Sequence, residues 1–212
     1  MVGRGVLKEC LDEPRVEDVL VVGRRQSGEQ NEKLREVVHH DFFDYSPLST
    51  EFEDRDTCFF CLGVSSVGQD EASYTRLTHD LTVSAAEALL AAAPDMTFVY
   101  VSGAGADSTE RGRTMWARVR GRLENRLLAM PFQAAYIFRP AYIQPMRGAM
   151  SRVFWYRVVY AGIGWAYPIL RRLFPGKVTS TVAIGRAMIA VARNGSENRV
   201  LDSHAINAIA DR

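Results

Sequence analysis

A strong excess of one charge is missing from this chain. Its 212 residues carry a formal net charge of +1 at pH 7, and no block of like charge interrupts the mixture. Such a balance demands neither nucleic acid nor an acidic membrane surface as a partner. Cysteine is scarce: Cys10, Cys58 and Cys61 make an odd count of three. That excludes a disulfide scaffold and leads us to expect a reducing, cytoplasmic setting. Long hydrophobic runs are missing too. The most apolar stretch, Val158 to Leu170, lies between Arg157 and Arg171 and contains Pro168. A spanning helix needs roughly 20 residues. The stretch therefore reads as a buried or lid helix. Peripheral membrane contact over 153–174 is the alternative, through Trp155, Tyr156, Tyr160, Trp165, Tyr167 and flanking arginines. Val2 to Leu7 is too short and too broken by Gly and Arg for a signal peptide. Internal repeats and low-complexity segments are absent.

What is present is an ordinary globular mixture, 47% hydrophobic and 24% charged. It is enough chain for one sizeable core. We expect a single domain over 1–212, with 146–178 as a substrate or lid elaboration. Gly3 to Leu11 has Val6, Leu7, Cys10 and Leu11 on one helical face. Val19 to Val22 is a continuous apolar run of the kind found in a buried parallel strand. A weaker strand lies at Val37-Val38, and further apolar runs fall at Cys58 to Leu62, Thr97 to Val101 and Ala134 to Phe138. Helical segments are expected at Asp70 to Ala93, Glu110 to Met130 and Thr181 to Arg193. Thr179 and Ser180 are available to cap the last, and Gly195 lies just beyond it. Short strands alternating with helices give β-α-β units and a mainly parallel, three-layer doubly wound α/β sheet. The order opens on a helix, whereas a doubly wound sheet opens on its central strand.

The opening run, MVGRGVLKECL from Met1 to Leu11, resembles the tail of a Gly-x-x-Gly-x-x-Gly loop and the helix after it, as found in extended and atypical short-chain dehydrogenase/reductases. Gly3 matches the third glycine. Val19 to Arg25 resembles the second strand and its tip. Asp41-Phe42 resembles the acidic-apolar step after the third strand, Cys61-Leu62-Gly63 the turn beside the cofactor, Ser102 the serine ending the next strand, and Arg139-Pro140 the Arg-Pro step near the nicotinamide. The chain is most similar to the atypical branch that includes Tat-interacting-protein-like oxidoreductases and NAD-dependent epimerase/dehydratase-like proteins. The resemblance implies a Rossmann-like, NAD(P)-binding fold whose first strand and two earlier glycines would precede Met1. It implies that Arg24 and Arg25 accept the extra phosphate of NADP, in preference to NAD. Asp41 and Phe42 would flank adenine. Leu62, Gly63, Ser102, Arg120 and Pro140 would line the ribose and nicotinamide side.

One departure bears on chemistry. The family's active-site motif is Tyr-x-x-x-Lys, two residues sharing a helix face. The matching segment here is Trp116 to Arg120. An indole N–H donates but is no usable acid, and a guanidinium stays protonated. Ser102 and Arg120 are thus the candidate catalytic residues, without the usual proton-transfer partner. Tyr74 and Tyr142 are substitutes that the sequence does not place at the site. The expected function is an NADP-binding relative acting as an oxidoreductase on an unknown small molecule. The alternative is a catalytically silent regulatory or protein-interaction module.

Rival motifs are weaker. The Cys58-x-x-Cys61 pair has an odd separation within a strand, so its side chains face opposite ways, and a redox pair belongs at a helix start. His39-His40-Asp41 lacks further ligands at metal spacing, and no metal is expected. Ser102 is not a hydrolase elbow, because Tyr100 stands where the first glycine is required. The charges of 110–126 read as a solvated helix with mixed-sign pairs. If a central strand is missing, its neighbours leave backbone groups unpaired and apolar surface exposed. The 212-residue form is then expected to be poorly soluble or partly unfolded. A cooperative, high melting transition in calorimetry would contradict that expectation.

Overall fold

The computed structural model describes residues 1–147 and 176–212. Most of the expected lid elaboration, with the apolar stretch Val158 to Leu170 and the membrane-contact region 153–174, lies outside the described residues. Among the described residues no helix is long and apolar enough to cross a membrane. The chain divides into two compact units, Met1–Val38 with Pro140–Arg212, and His39–Arg139.

In the first unit, helix α1 (Val2–Asp12) buries Gly5, Val6, Leu7, Glu9 and Cys10. It packs against α6 (Thr181–Asn194), which buries Ile184, Ala187, Met188 and Val191. Two glycines set the approach of these helices. A Cβ on Gly5 would stand 2.5 Å from Thr181 Cβ, and one on Gly185 2.7 Å from Glu9 Cγ. Glu9 is buried, yet both of its oxygens are satisfied: Arg147 Nη1 donates at 3.0 Å and Arg186 Nε at 3.1 Å. Pairing of this kind is what makes a buried carboxylate tolerable. Burial also pushes the neighbouring Cys10 thiol up to about 12, with Glu9 adding to the rise. That thiol is inert packing.

Strands β1 (Val19–Gly23) and β2 (Leu34–Val38) of this unit run parallel in the register Val19 to Leu34. The sequence places a weaker strand, Val37-Val38, within Leu34 to Phe42 and ending near Asp41; β2 occupies the first part of that segment and ends at Val38. Three short strands have no clear signal in the sequence: β6 (Tyr142–Gln144) and β7 (Val178–Ser180), which pair in parallel, and β8 (Val200–Asp202). Ser180 caps α6 by accepting from the Ala183 N–H, whereas the other candidate cap, Thr179, donates to Asn207 Oδ1 at 2.9 Å. Asn207 lies on α7 (Ser203–Ala210), which Asp202 caps.

The second unit holds a short helix, α2 (Ser49–Phe52), and the strands β3 (Thr57–Phe60), β4 (Thr97–Val101) and β5 (Ala134–Arg139), all parallel, with β4 between the other two. Phe98 is fully buried and stacks on Phe60 and Phe132 at ring separations of 5.9 and 5.1 Å. Between β3 and β4 the expected long helix runs unbroken from Glu71 to Ala92, as α3 (Glu71–Thr75), a π-helical turn (Arg76–Asp80) and α4 (Leu81–Ala92). Such a turn commonly marks a functional position in a helix. Asp70 caps the start by accepting from the Ser73 N–H at 2.7 Å.

Helix α5 (Met115–Ala129) follows β4. It starts five residues later than the sequence suggests, because Asp107 organises the preceding loop. The Asp107 carboxylate accepts from the N–H of Thr109 at 3.0 Å and of Gly112 at 2.7 Å. The Thr109 hydroxyl, donating to the same carboxylate at 2.7 Å, and then these N–H bonds draw its carboxyl below the usual range. Glu110 also sits at φ 61, outside a right-handed helix. Gly121 is required where α5 meets this loop, since a Cβ there would lie 1.7 Å from the Asp107 carbonyl oxygen. Backbone cannot yield as a flexible side chain can. Gly121→Ala is expected to lower stability by about 1–3 kcal/mol, the usual cost of overpacking. An unchanged urea midpoint for that variant would show that the loop is not held against α5.

Candidate functional site

The carboxyl ends of β4 and β5 carry a buried polar network in the second unit. Ser102 follows β4 directly, its N–H donating to the Phe138 carbonyl at 2.8 Å. Its hydroxyl donates to Glu124 Oε1. Glu124 projects inward from α5 and is only 1% exposed. Its second oxygen accepts from Arg139, the last residue of β5, through Nε at 2.9 Å and through Nη2. Arg139 Nη2 also donates to Ser108 Oγ at 2.6 Å. A buried carboxylate without a cation would cost several kcal/mol; here the guanidinium and the hydroxyl divide its oxygens between them.

A second part of the network lies one turn earlier on α5. Arg120 Nε donates to the Tyr74 hydroxyl at 3.0 Å. The Arg120 guanidinium also lies over Gly103, where a Cβ would come within 2.8 Å of Nη1. Trp116 covers Gly105 in the same way, and Gly105 takes φ 90, a conformation that favours glycine. Arg120 is held above its ordinary value: burial opposes its charge, but Tyr100 and the Tyr74 hydrogen bond outweigh that. Burial drives the Tyr100 phenol upward against the pull of Arg120, with Tyr74 and Glu124 adding to the rise.

Thus Trp116, Arg120 and Glu124 share the inward face of α5 at helical spacing. The remaining arginines of this helix turn outward into ion pairs, Arg118 with Glu71 at 2.6 Å, Arg122 with Glu110 at 3.6 Å and Arg126 with Glu87 at 3.2 Å. The mixed-charge reading of 110–126 therefore describes its outer face only. Glu124 was missed among those charges, although its place four residues after Arg120 was a usable signal. Tyr74 was left unplaced, because its contact with Arg120 joins two elements 46 residues apart.

The other candidate residues are distributed between the units. Ser102, Arg120, Asp41, Phe42, Leu62 and Gly63 belong to the second. Asp41 is exposed and accepts from the Phe43 N–H at 3.0 Å. Phe42 is buried in an aromatic cluster with His39 and Tyr45, so its ring is committed to packing. Leu62 and Gly63 lie exposed just beyond β3. His39 and His40 gather no metal ligands, and no metal-holding cluster occurs among the described residues. Gly3, Arg24, Arg25 and Pro140 belong to the first unit. Gly3 lies in the first turn of α1, and Arg24 and Arg25 stand exposed beyond β1.

No family model matches the chain. Its fold is similar to several solved structures. WbmG of Bordetella bronchiseptica, in complex with NAD, is 13% identical, with a TM-score of 0.65 over 100% of this chain and 73% of that one. A short-chain dehydrogenase/reductase of Saccharomyces cerevisiae is 13% identical, with a TM-score of 0.62 over 99% and 94% of the two chains. The ADP-L-glycero-D-manno-heptose-6-epimerase of Helicobacter pylori is 9% identical, with a TM-score of 0.63 over 100% and 78%. These likenesses identify the class of fold: a three-layer, mainly parallel, Rossmann-like α/β fold.

The comparison corrects the expected cofactor. WbmG holds NAD both alone and together with UDP, which favours NAD over the NADP read from Arg24 and Arg25. In the loop after those arginines the Ser27 N–H donates to the Glu36 carboxylate at 2.7 Å.

Burial of Tyr100 makes stability depend on alkaline pH. A phenol whose pKa is raised on folding binds its proton more tightly in the native state. Its contribution is complete below the unfolded value of about 10 and is lost as pH rises through the folded value. Unfolding free energy is therefore expected to fall above about pH 10, with a shallower fall in Tyr100→Phe. Identical alkaline slopes for the two proteins would contradict the buried assignment.

Proposed function

We propose that this chain is an NAD-binding protein of the short-chain dehydrogenase/reductase type, acting as an oxidoreductase or epimerase-like enzyme on a small molecule. The observation that carries the reading is the clustering of Ser102, Arg120 and Tyr74 with Glu124 and Arg139 beyond the carboxyl ends of β4 and β5. Ligands of open α/β sheets bind outside the carboxyl ends of strands. The similarity in fold to an NAD complex supports the choice of cofactor.

On this reading residues 1–212 act as one cofactor-binding domain. Gly3 stands as the third glycine, which allows close helix packing, in the first turn of α1, where free N–H groups favour an anion. Asp41 meets the adenosine half through its carboxylate, and Phe42 supports that loop from within its aromatic cluster. Leu62, Gly63 and Pro140 line the path of the cofactor. Arg120 donates to the ribose side, since a guanidinium is a permanent donor. Bound NAD would supply hydride acceptance, and the protein would supply orientation and hydrogen bonds. Tyr74 takes the place of the phenol absent from position 116, with Arg120 Nε donating to its oxygen.

The silent alternative is favoured by one observation: Tyr74 is only 1% exposed. A phenol so enclosed needs a local opening before it can meet a substrate. Calorimetric titration separates the two readings. NAD is expected to bind and NADP to bind at least tenfold more weakly, with Arg120→Met weakening NAD several-fold. No heat with either dinucleotide would leave the silent module as the better account.

A further inference from the structure

The hydroxyl of Ser102 has one proton and two lone pairs. The Glu124 oxygen facing it has only lone pairs, because the paired carboxylate is purely an acceptor. The direction of that hydrogen bond is therefore fixed: Ser102 donates and Glu124 accepts. Glu124 has no freedom to turn away, since its other oxygen is held by the Nε and Nη2 groups of Arg139. Arg139 is anchored in turn through Ser108.

We infer that Ser102 presents only lone pairs to a ligand, and that the site takes the hydroxyl- or amine-bearing form of its substrate and not the carbonyl form. A carbonyl oxygen brought to Ser102 Oγ would meet lone pairs with a carboxylate behind them. An alcohol O–H or amine N–H would find an acceptor. Glu124 is thus a positioning residue, which sets the hydrogen-bond polarity of Ser102 without touching the ligand. The consequence for substrate class rests on the dinucleotide-site reading above. The orientation of the Ser102 proton stands without it.

One change reverses the polarity. In Glu124→Gln the amide oxygen stays with Arg139, which can only donate. The amide N–H group then faces Ser102 and donates to Oγ. The Ser102 proton is released to point outward, so the site acquires a carbonyl-binding donor.

Neutron diffraction from crystals of the full chain exchanged into D2O reads this directly. In the wild type a deuterium is expected on Ser102 Oγ, pointing at Glu124 Oε1. Any D2O, or soaked cyclohexanol, within reach of Oγ should point a deuterium at it. In E124Q the Ser102 deuterium is expected to turn away from position 124. A wild-type map with the Ser102 deuterium turned away from Glu124, or with cyclohexanone seated as an acceptor on Oγ, would overturn the proposal. The wild-type map decides the matter even if E124Q does not fold. Failure of NAD to bind in calorimetry would sink the cofactor reading and leave this map unchanged.

Discussion

The buried carboxylate of Glu124 constrains the structure around it more than any other group in the second unit. It is 1% exposed, so bulk solvent cannot satisfy it. Arg139 neutralises it from the end of β5, and Ser102 completes it from the end of β4. The two strand ends and α5 are thereby fixed to a single point. Removing the carboxylate would strand a partly buried guanidinium, which is why the trio behaves as a unit. The same requirement explains the neighbouring glycines: Gly103, Gly105 and Gly121 let Arg120, Trp116 and the Asp107 loop close in around the network.

Function on this scaffold depends on what the network leaves available. On its inward face α5 presents an indole donor, Trp116, and a permanent cation, Arg120. That cation meets a phenol from α3. Tyr74, Arg120, Ser102 and Glu124 thus reach the network from three elements. The fold alone does not assign chemistry, because one fold serves many activities. The assignment rests on these side chains.

Much of this was readable from the chain itself. The runs at Val19, Thr97 and Ala134 are apolar on both faces, so their parallel pairing was plain; β4 and β5 are buried as such runs suggest, whereas β1 is only half-buried along its length. The places of Ser102 and Arg120 followed from strand end and helix spacing. What could not be read shares a physical cause. Glu124 is a charged residue among charges; its spacing from Arg120 put it on the inward face, but its bonds to positions 102 and 139 are long-range and not legible in the sequence. The π-helical turn at Arg76–Asp80 and the late start of α5 depend on tertiary packing and on one Asp107 side chain. The short strands β6, β7 and β8, of three residues each, are too brief for a periodic signal. The pair Arg24 and Arg25 suggested NADP from residue type alone, whereas the structurally similar WbmG holds NAD.

Backbone amide NMR of the full chain during NAD addition tests the central claim most directly. The account predicts saturable shifts concentrated at Gly3, Gly63, Ser102 and Arg120, with NADP producing far smaller ones. Shifts absent from these positions at saturating NAD, or spread evenly over the surface, would contradict it.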